Sequence, residues 1–198
     1  MRKCHSAVKQ EMLRIRKPRE LMQHAYTYMK QCCGNTQTAL PGTTTICVAT
    51  VEKYAPHLLH VANLGDSGFM LLRKVEHPRS RFIPALQSAE QMHGPDFPYQ
   101  LGCSSRDTPD DAEDYSTQLH PGDVLMLATD GVYDNLFYDT ICEVTHNGLM
   151  SGGIWKACEQ IVDTAYQYAF GSDPTPTRHR GGRLDDMTVV MAQVVKDS

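Results

Sequence analysis

Val124-Leu125-Met126-Leu127-Ala128-Thr129-Asp130-Gly131-Val132-Tyr133-Asp134-Asn135 is the stretch on which the reading of this chain turns. Val124 to Thr129 is a short apolar run, bounded by Pro121-Gly122 before it and Asp130-Gly131 after it. That length and those boundaries predict a buried strand rather than a helix. Two further apolar segments also carry aspartates at their ends. Asp66 follows Val61-Ala62-Asn63-Leu64-Gly65, and Asp185-Asp186 precede Met187-Thr188-Val189-Val190. An Asp-Gly after a strand is first of all a turn, and no one of these is specific. As a set they are: strands sharing a sheet would gather carboxylates that repel one another and raise their own pKa values. A hard divalent cation, Mg or Mn, relieves that repulsion and takes oxygen ligands and waters. Two such ions about 3.5–4 Å apart can activate a water and clamp a phosphoryl group.

Around these segments the period of the apolar residues changes repeatedly. Ser6 to Arg16 reads as a polar helix, and Pro18 opens a second helix with Leu21, Met22, Ala25, Tyr28, Met29 and Cys32 on one face, stopped by Gly34. Thr44 to Val51, Leu58 to Asn63 and Phe69 to Arg73 read as strands, the last two joined by a tight hairpin at 64–68. From about Glu76 to Gly122 the chain is rich in proline and acid, and reads as a long irregular stretch. Phe137 to His146 reads as a helix stopped by Asn147-Gly148. Trp155 to Ala169 is a second helix, with Trp155 packed at its start, and Met187 to Val195 closes the sequence as a strand. Helices and strands come in blocks, which favours α+β.

The 198 residues are 41% hydrophobic and 21% charged, with a formal net charge of -4. That is ordinary globular usage and predicts a single domain over 1–198. The charge balance argues against a nucleic-acid partner. No apolar run approaches the ~18 residues of a membrane span. Seven cysteines, an odd number with no C-x-x-C pair, argue against a disulfide framework or structural zinc and point to a reducing compartment. His57 and His60 share one side of a strand but lack a third ligand for zinc.

Gly42-Thr43-Thr44-Thr45, Ala62-Asn63-Leu64-Gly65-Asp66-Ser67-Gly68, the Asp130 segment through Asn135, and Gly181-Gly182-Arg183-Leu184-Asp185-Asp186-Met187-Thr188-Val189-Val190 together resemble the metal-dependent type-2C (PPM) protein phosphatases. They look most like its compact, mitochondrial-type branch. The resemblance runs from about residue 18 to the C-terminus. It implies a β-sandwich of two antiparallel sheets flanked by helices, a four-layer α-β-β-α arrangement. It implies metal roles for Asp66, Asp130 and Asp185, with Gly131 and Asp186 at most supporting them. It also implies two Mg or Mn ions with a third, weaker one, and a phosphoprotein substrate. The expected reaction is hydrolysis of phosphoserine or phosphothreonine esters by a metal-activated water. The location it implies is intracellular, with mitochondria suggested by the branch.

One departure matters. The family places an Asp-Gly turn with a glycine pair before the Gly-Thr-Thr strand, and here no Asp precedes Asp66. The expectation is therefore an N-terminally incomplete domain that binds metal poorly, turns over little and exposes unpaired strand edges. A non-catalytic pseudophosphatase or interaction module is the alternative. A serine hydrolase built on Gly65-Asp66-Ser67-Gly68 lacks upstream His-Asp partners in the order such proteases use. No cysteine opens a Cys-x5-Arg phosphate loop.

Overall fold

The computed structural model describes residues 17–34, 42–52, 57–76, 80–171 and 181–196. The predicted helix Ser6 to Arg16 lies outside them. No helix among the described residues is long and apolar enough to cross a membrane. The described chain divides into two compact units, Met1–Asp66 with Glu90–Leu119, and Ser67–Ala89 with His120–Ser198. Each combines antiparallel strands with a helix, giving the expected α+β class.

The first unit begins with α1 (Pro18–Gly34), which packs on β2 (Ile46–Val51) and β3 (Leu58–Leu64). β3 is the centre of a three-stranded sheet, paired with β2 on one side and β9 (Glu113–Gln118) on the other. Met22 of α1 is 1% exposed and meets Ala62, Leu64, Leu101 and Ala112, with Tyr26 at the margin. The buried stripe is thus rotated from the predicted one, since Ala25 and Tyr28 face solvent. Two short ladders complete the unit: β1 (Thr43–Thr44) with β8 (Leu101–Gly102), and β6 (Met92–Gly94) with β7 (Phe97–Pro98).

The odd cysteine count concealed one pair. Cys33, at the end of α1, and Cys103, after β8, form a disulfide with a Cα–Cα distance of 6.2 Å across 70 residues of sequence. Sequence spacing carried no signal for it, because the fold alone brings these segments together. Among the remaining thiols, burial pushes the buried Cys142 up to about 11 and the partly buried Cys47 up to about 12.

The predicted hairpin at 64–68 does not form. β3 and β4 (Gly68–Val75) belong to different sheets. Gly65 has φ +105, and a Cβ there would lie 2.5 Å from Thr45 Cγ2 and 2.7 Å from the Tyr99 carbonyl oxygen. Its backbone groups are engaged by Gln91: Gly65 N–H donates to Gln91 Oε1 (3.1 Å), and Gln91 N–H donates to Gly65 O (3.0 Å). Glycine is needed here for a close crossing, not for a two-residue turn.

The expected irregular stretch also proves structured. It contains β5 (Arg81–Gln87) and β9 as well as the short strands β6, β7 and β8. Proline misled the reading because Pro84 sits in an edge strand opposite a register shift at Leu71/Leu72, where a missing N–H is tolerated. Within the acidic run, Asp107 is 5% exposed. It accepts the Gln100 N–H at 2.9 Å and faces His93 Nε2 at 2.9 and 3.0 Å, and the His93 ring stacks on Tyr99. Burial alone would push its carboxyl up. The Gln100 N–H, the His93 ring and the Arg106 charge outweigh it and hold the carboxyl below its ordinary value. A depressed native pKa adds stability above the unfolded-state value, roughly 3.9, which is lost as pH falls through the native one. The gap in urea midpoint between wild type and Asp107→Asn should accordingly narrow between about pH 5 and pH 2. A gap independent of pH would contradict this account.

In the second unit the sheet order is β11-β10-β4-β5, with β10 (Val124–Ala128) flanked by β4 and by β11 (Val189–Gln193). Val124 and Met126 are fully buried, as the apolar run predicts. α2 (Asp130–Tyr133) follows at once, and α3 (Tyr138–Phe170) packs on β5 and β11. α3 does not stop at Asn147-Gly148. It breaks at Gly152 and Gly153, the latter with φ 77. Gly148 stays helical and lets the two halves touch: a Cβ there would lie 2.3 Å from Ala157 Cα. Trp155, read as a packing residue, is 85% exposed beside the break.

Candidate metal centre

Two of the three aspartates singled out from sequence meet in the second unit. β10 delivers Thr129 and Asp130 at its end, and the 181–188 segment delivers Asp185 and Asp186 just before β11. The β10–β11 register, Ala128 opposite Val189, places these chain ends side by side. Asp66 belongs to the first unit, two residues after β3.

Gly131 allows the close approach. A Cβ on it would stand 2.7 Å from the Asp186 carbonyl oxygen and 3.3 Å from Asp185 Cβ. Asp130 Oδ1 accepts the Gly131 N–H at 2.9 Å, and Asp185 Oδ1 accepts the Asp186 N–H at 2.7 Å. Asp186 is exposed, and its backbone carbonyl, not its carboxyl, makes the local contacts. Burial raises the Asp130 pKa. The Gly131 N–H opposes that rise, the Asp185 and Asp134 charges add to it, and Arg183 offsets part of it. Asp130 is therefore a half-buried carboxylate that carries a like-charge cost from its neighbour, the condition a cation relieves.

Sequence reasoning gave no role to the residues that hold this pair. Thr129 Oγ1 donates to Asp186 O (2.9 Å) and accepts from Thr188 N–H (3.0 Å). Asn135, fully buried, donates through Nδ2 to Gly131 O (2.8 Å) and Arg183 O (2.7 Å), and its Oδ1 accepts the Arg183 N–H (3.2 Å). Arg183 Nη1 donates to Asp134 Oδ2 at 2.8 Å. The available signal was Asn135 standing five residues after Asp130, close enough to reach back to Gly131.

The donor set fits a hard dication in kind, being all carboxylate oxygen with a net negative charge. It is a sparse set: among the described residues no group of three or more His, Cys, Asp or Glu could hold a metal ion. His57 and His60 do not share one side of a strand as read from sequence: His57 precedes β3, and a spacing of three puts strand residues on opposite faces. His60 Nε2 lies 3.1 Å from Glu52 Oε1, and its Nδ1 lies 3.1 Å from Ser116 Oγ.

The family model of stage II sporulation protein E (SpoIIE) matches residues 1–195. The chain belongs to this family of type-2C (PPM) phosphatases. Among the family's curated members it is 33% identical over 173 residues to probable protein phosphatase 2C 80 of Arabidopsis thaliana, covering 81% of this chain and 39% of that one. It is 28% identical over 222 residues to the human protein phosphatase PTC7 homolog, covering 99% and 67%. The fig PTC7 homolog of Drosophila mojavensis is 30% identical, covering 98% and 65%. The chain thus spans from under half to about two thirds of the length of these relatives. The family fold is shown by the photosystem II phosphatase PBCP, with a TM-score of 0.73, 24% identity, and coverage of 96% of this chain and 75% of that one. The catalytic domain of PstP, solved in complex with 2 manganese ions, superposes with a TM-score of 0.56 at 18% identity, covering 90% and 68%.

Proposed function

We propose that this chain is a metal-dependent protein serine/threonine phosphatase domain whose centre is built on Asp130 and Asp185, with Gly131 giving the close approach between them. The observation that carries the reading is the close approach at Gly131, where a Cβ would stand 3.3 Å from Asp185 Cβ, which sets a second carboxylate beside the half-buried Asp130. Asp66 has its proposed role by sequence resemblance alone, and Asp186 contributes backbone rather than carboxylate. A bound Mg or Mn ion would supply the positive charge that activates water and neutralises a phosphoryl group. The protein's own part is to hold two carboxylates against repulsion on a surface open to a phosphoprotein. A pair of carboxylates is a weak metal site, so turnover by the 198-residue chain is proposed to be slow. The family branch extends the reading to a mitochondrial location, checked by fractionating cells that express the tagged protein. Nothing in the geometry specifically favours a non-catalytic module.

With a phosphothreonine peptide and manganese, the purified chain should release phosphate slowly, and EDTA should abolish the release. Asp130→Ala should reduce the rate to background and remove the heat of manganese binding in calorimetry. Equal heats, or a rate indifferent to EDTA and to the substitution, would refute the proposal.

A further inference from the structure

Asp185 lies in a segment, 181–188, with no regular secondary structure, and Gly181 and Gly182 both have positive φ. Backbone hydrogen bonds anchor its ends, Gly181 N–H to Asp134 O (2.9 Å) and Thr129 N–H to Thr188 O (3.1 Å), and Asp185 Oδ1 accepts the Asp186 N–H (2.7 Å). Two side chains tie the stretch between those anchors to the Asp130 turn, one on each side of Asp185. Asn135 grips Arg183 through both its N–H and its carbonyl, and ties the same amide to Gly131 O, in the turn that carries Asp130. Thr129, the residue before Asp130, grips Asp186 O and the Thr188 N–H through one hydroxyl. Each pin therefore joins the Asp130 side of the centre to the Asp185 side, and Asp185 is held between them.

We infer that Thr129 and Asn135 are a pair of positioning residues that set the separation of Asp130 and Asp185. The consequence for metal affinity rests on the proposed function; the consequence for the loop does not. Opposed carboxylates push apart, and hydrogen bonds made by a fully buried amide resist that push more effectively than solvated ones. Groups that orient metal ligands typically change affinity about 10–100-fold when removed. Neither side chain need touch substrate to have that effect.

The test uses the 198-residue chain, Thr129→Val (isosteric, hydroxyl removed), Thr129→Ser (hydroxyl kept) and Asn135→Leu (similar volume, amide removed). Manganese alone is titrated by calorimetry, and amide exchange is followed over 181–188. Thr129→Val and Asn135→Leu should bind manganese about 10-fold or more weakly and exchange faster at 184–188, with β10 unchanged. Thr129→Ser should match wild type in both readouts. Wild-type binding with no loss in Thr129→Val or Asn135→Leu would overturn the inference and leave the metal centre standing. If wild type binds no manganese, the metal centre fails, and exchange decides the pins: unchanged protection at 184–188 in both variants overturns them too. Should Asn135→Leu not fold, the Thr129 series decides the matter by the same two readouts.

Discussion

Asp123→Ala should lose about 3 kcal/mol of stability, at the lower end of the ~3–5 kcal/mol that breaking a buried ion pair costs. Asp123 is 1% exposed and takes two hydrogen bonds from Arg73, Nε to Oδ1 at 3.1 Å and Nη2 to Oδ2 at 2.8 Å. Its Oδ2 also accepts the His120 N–H at 2.9 Å. Truncation removes that amide's side-chain acceptor and takes the Asp123 charge away from the guanidinium. Arg73 is 27% exposed in its side chain and can turn to water, so the lower end of the range applies. The fall should appear as a lower urea midpoint at unchanged slope. Asp123→Asn, which keeps the shape and one acceptor, should lose less. A wild-type midpoint for Asp123→Ala would show that the pair contributes nothing.

Gly148→Ala is the second large effect, and its sign is decided by two opposed terms. Alanine gains about 1 kcal/mol over glycine inside a helix. Here, however, the added carbon would lie 2.3 Å from Ala157 Cα and 2.7 Å from Ala157 N, which are backbone atoms that cannot swing aside. Overpacking of a tight interface costs about 1–3 kcal/mol and sometimes more. Because the two halves of α3 must separate to admit the methyl, we expect a net loss of about 2 kcal/mol, seen as a thermal midpoint several degrees lower. Gly153→Ala, at a left-handed position with nothing within 4 Å of its Cβ, should cost less. A Gly148→Ala variant more stable than wild type would mean that the halves of α3 do not touch.

Much of this was written locally in the sequence. Val124 to Thr129 reads as a buried strand because the run is apolar up to its final threonine, and the fold buries it between two partners. Asp130 and Asp185 were legible because each ends or precedes such a strand, and pairing those strands brings their ends together. Contacts between remote segments were not legible. The 64–68 stretch has turn composition, yet Gly65 is required by its crossing with Thr45 and Tyr99. Asn147-Gly148 has stop composition, yet the glycine is required by a helix that returns against it. Cys33 and Cys103 gave no spacing signal, and Pro84 read as a breaker because edge-strand status cannot be seen in one strand alone. Asn135 was unassigned for the same reason: two of its three side-chain hydrogen bonds go to a residue 48 positions away.

The paired hydrogen bonds between Gly65 and Gln91 have one more implication. Within the second unit Phe69 and Ser88 repeat the pattern, with Ser88 N–H on Phe69 O and Phe69 N–H on Ser88 Oγ. The β4–β5 ribbon is consequently a cassette with adjoining ends. Its length is free to change only at the far tip, between β4 and β5, because β4 itself pairs with β10 and buries Met70, Leu71 and Leu72.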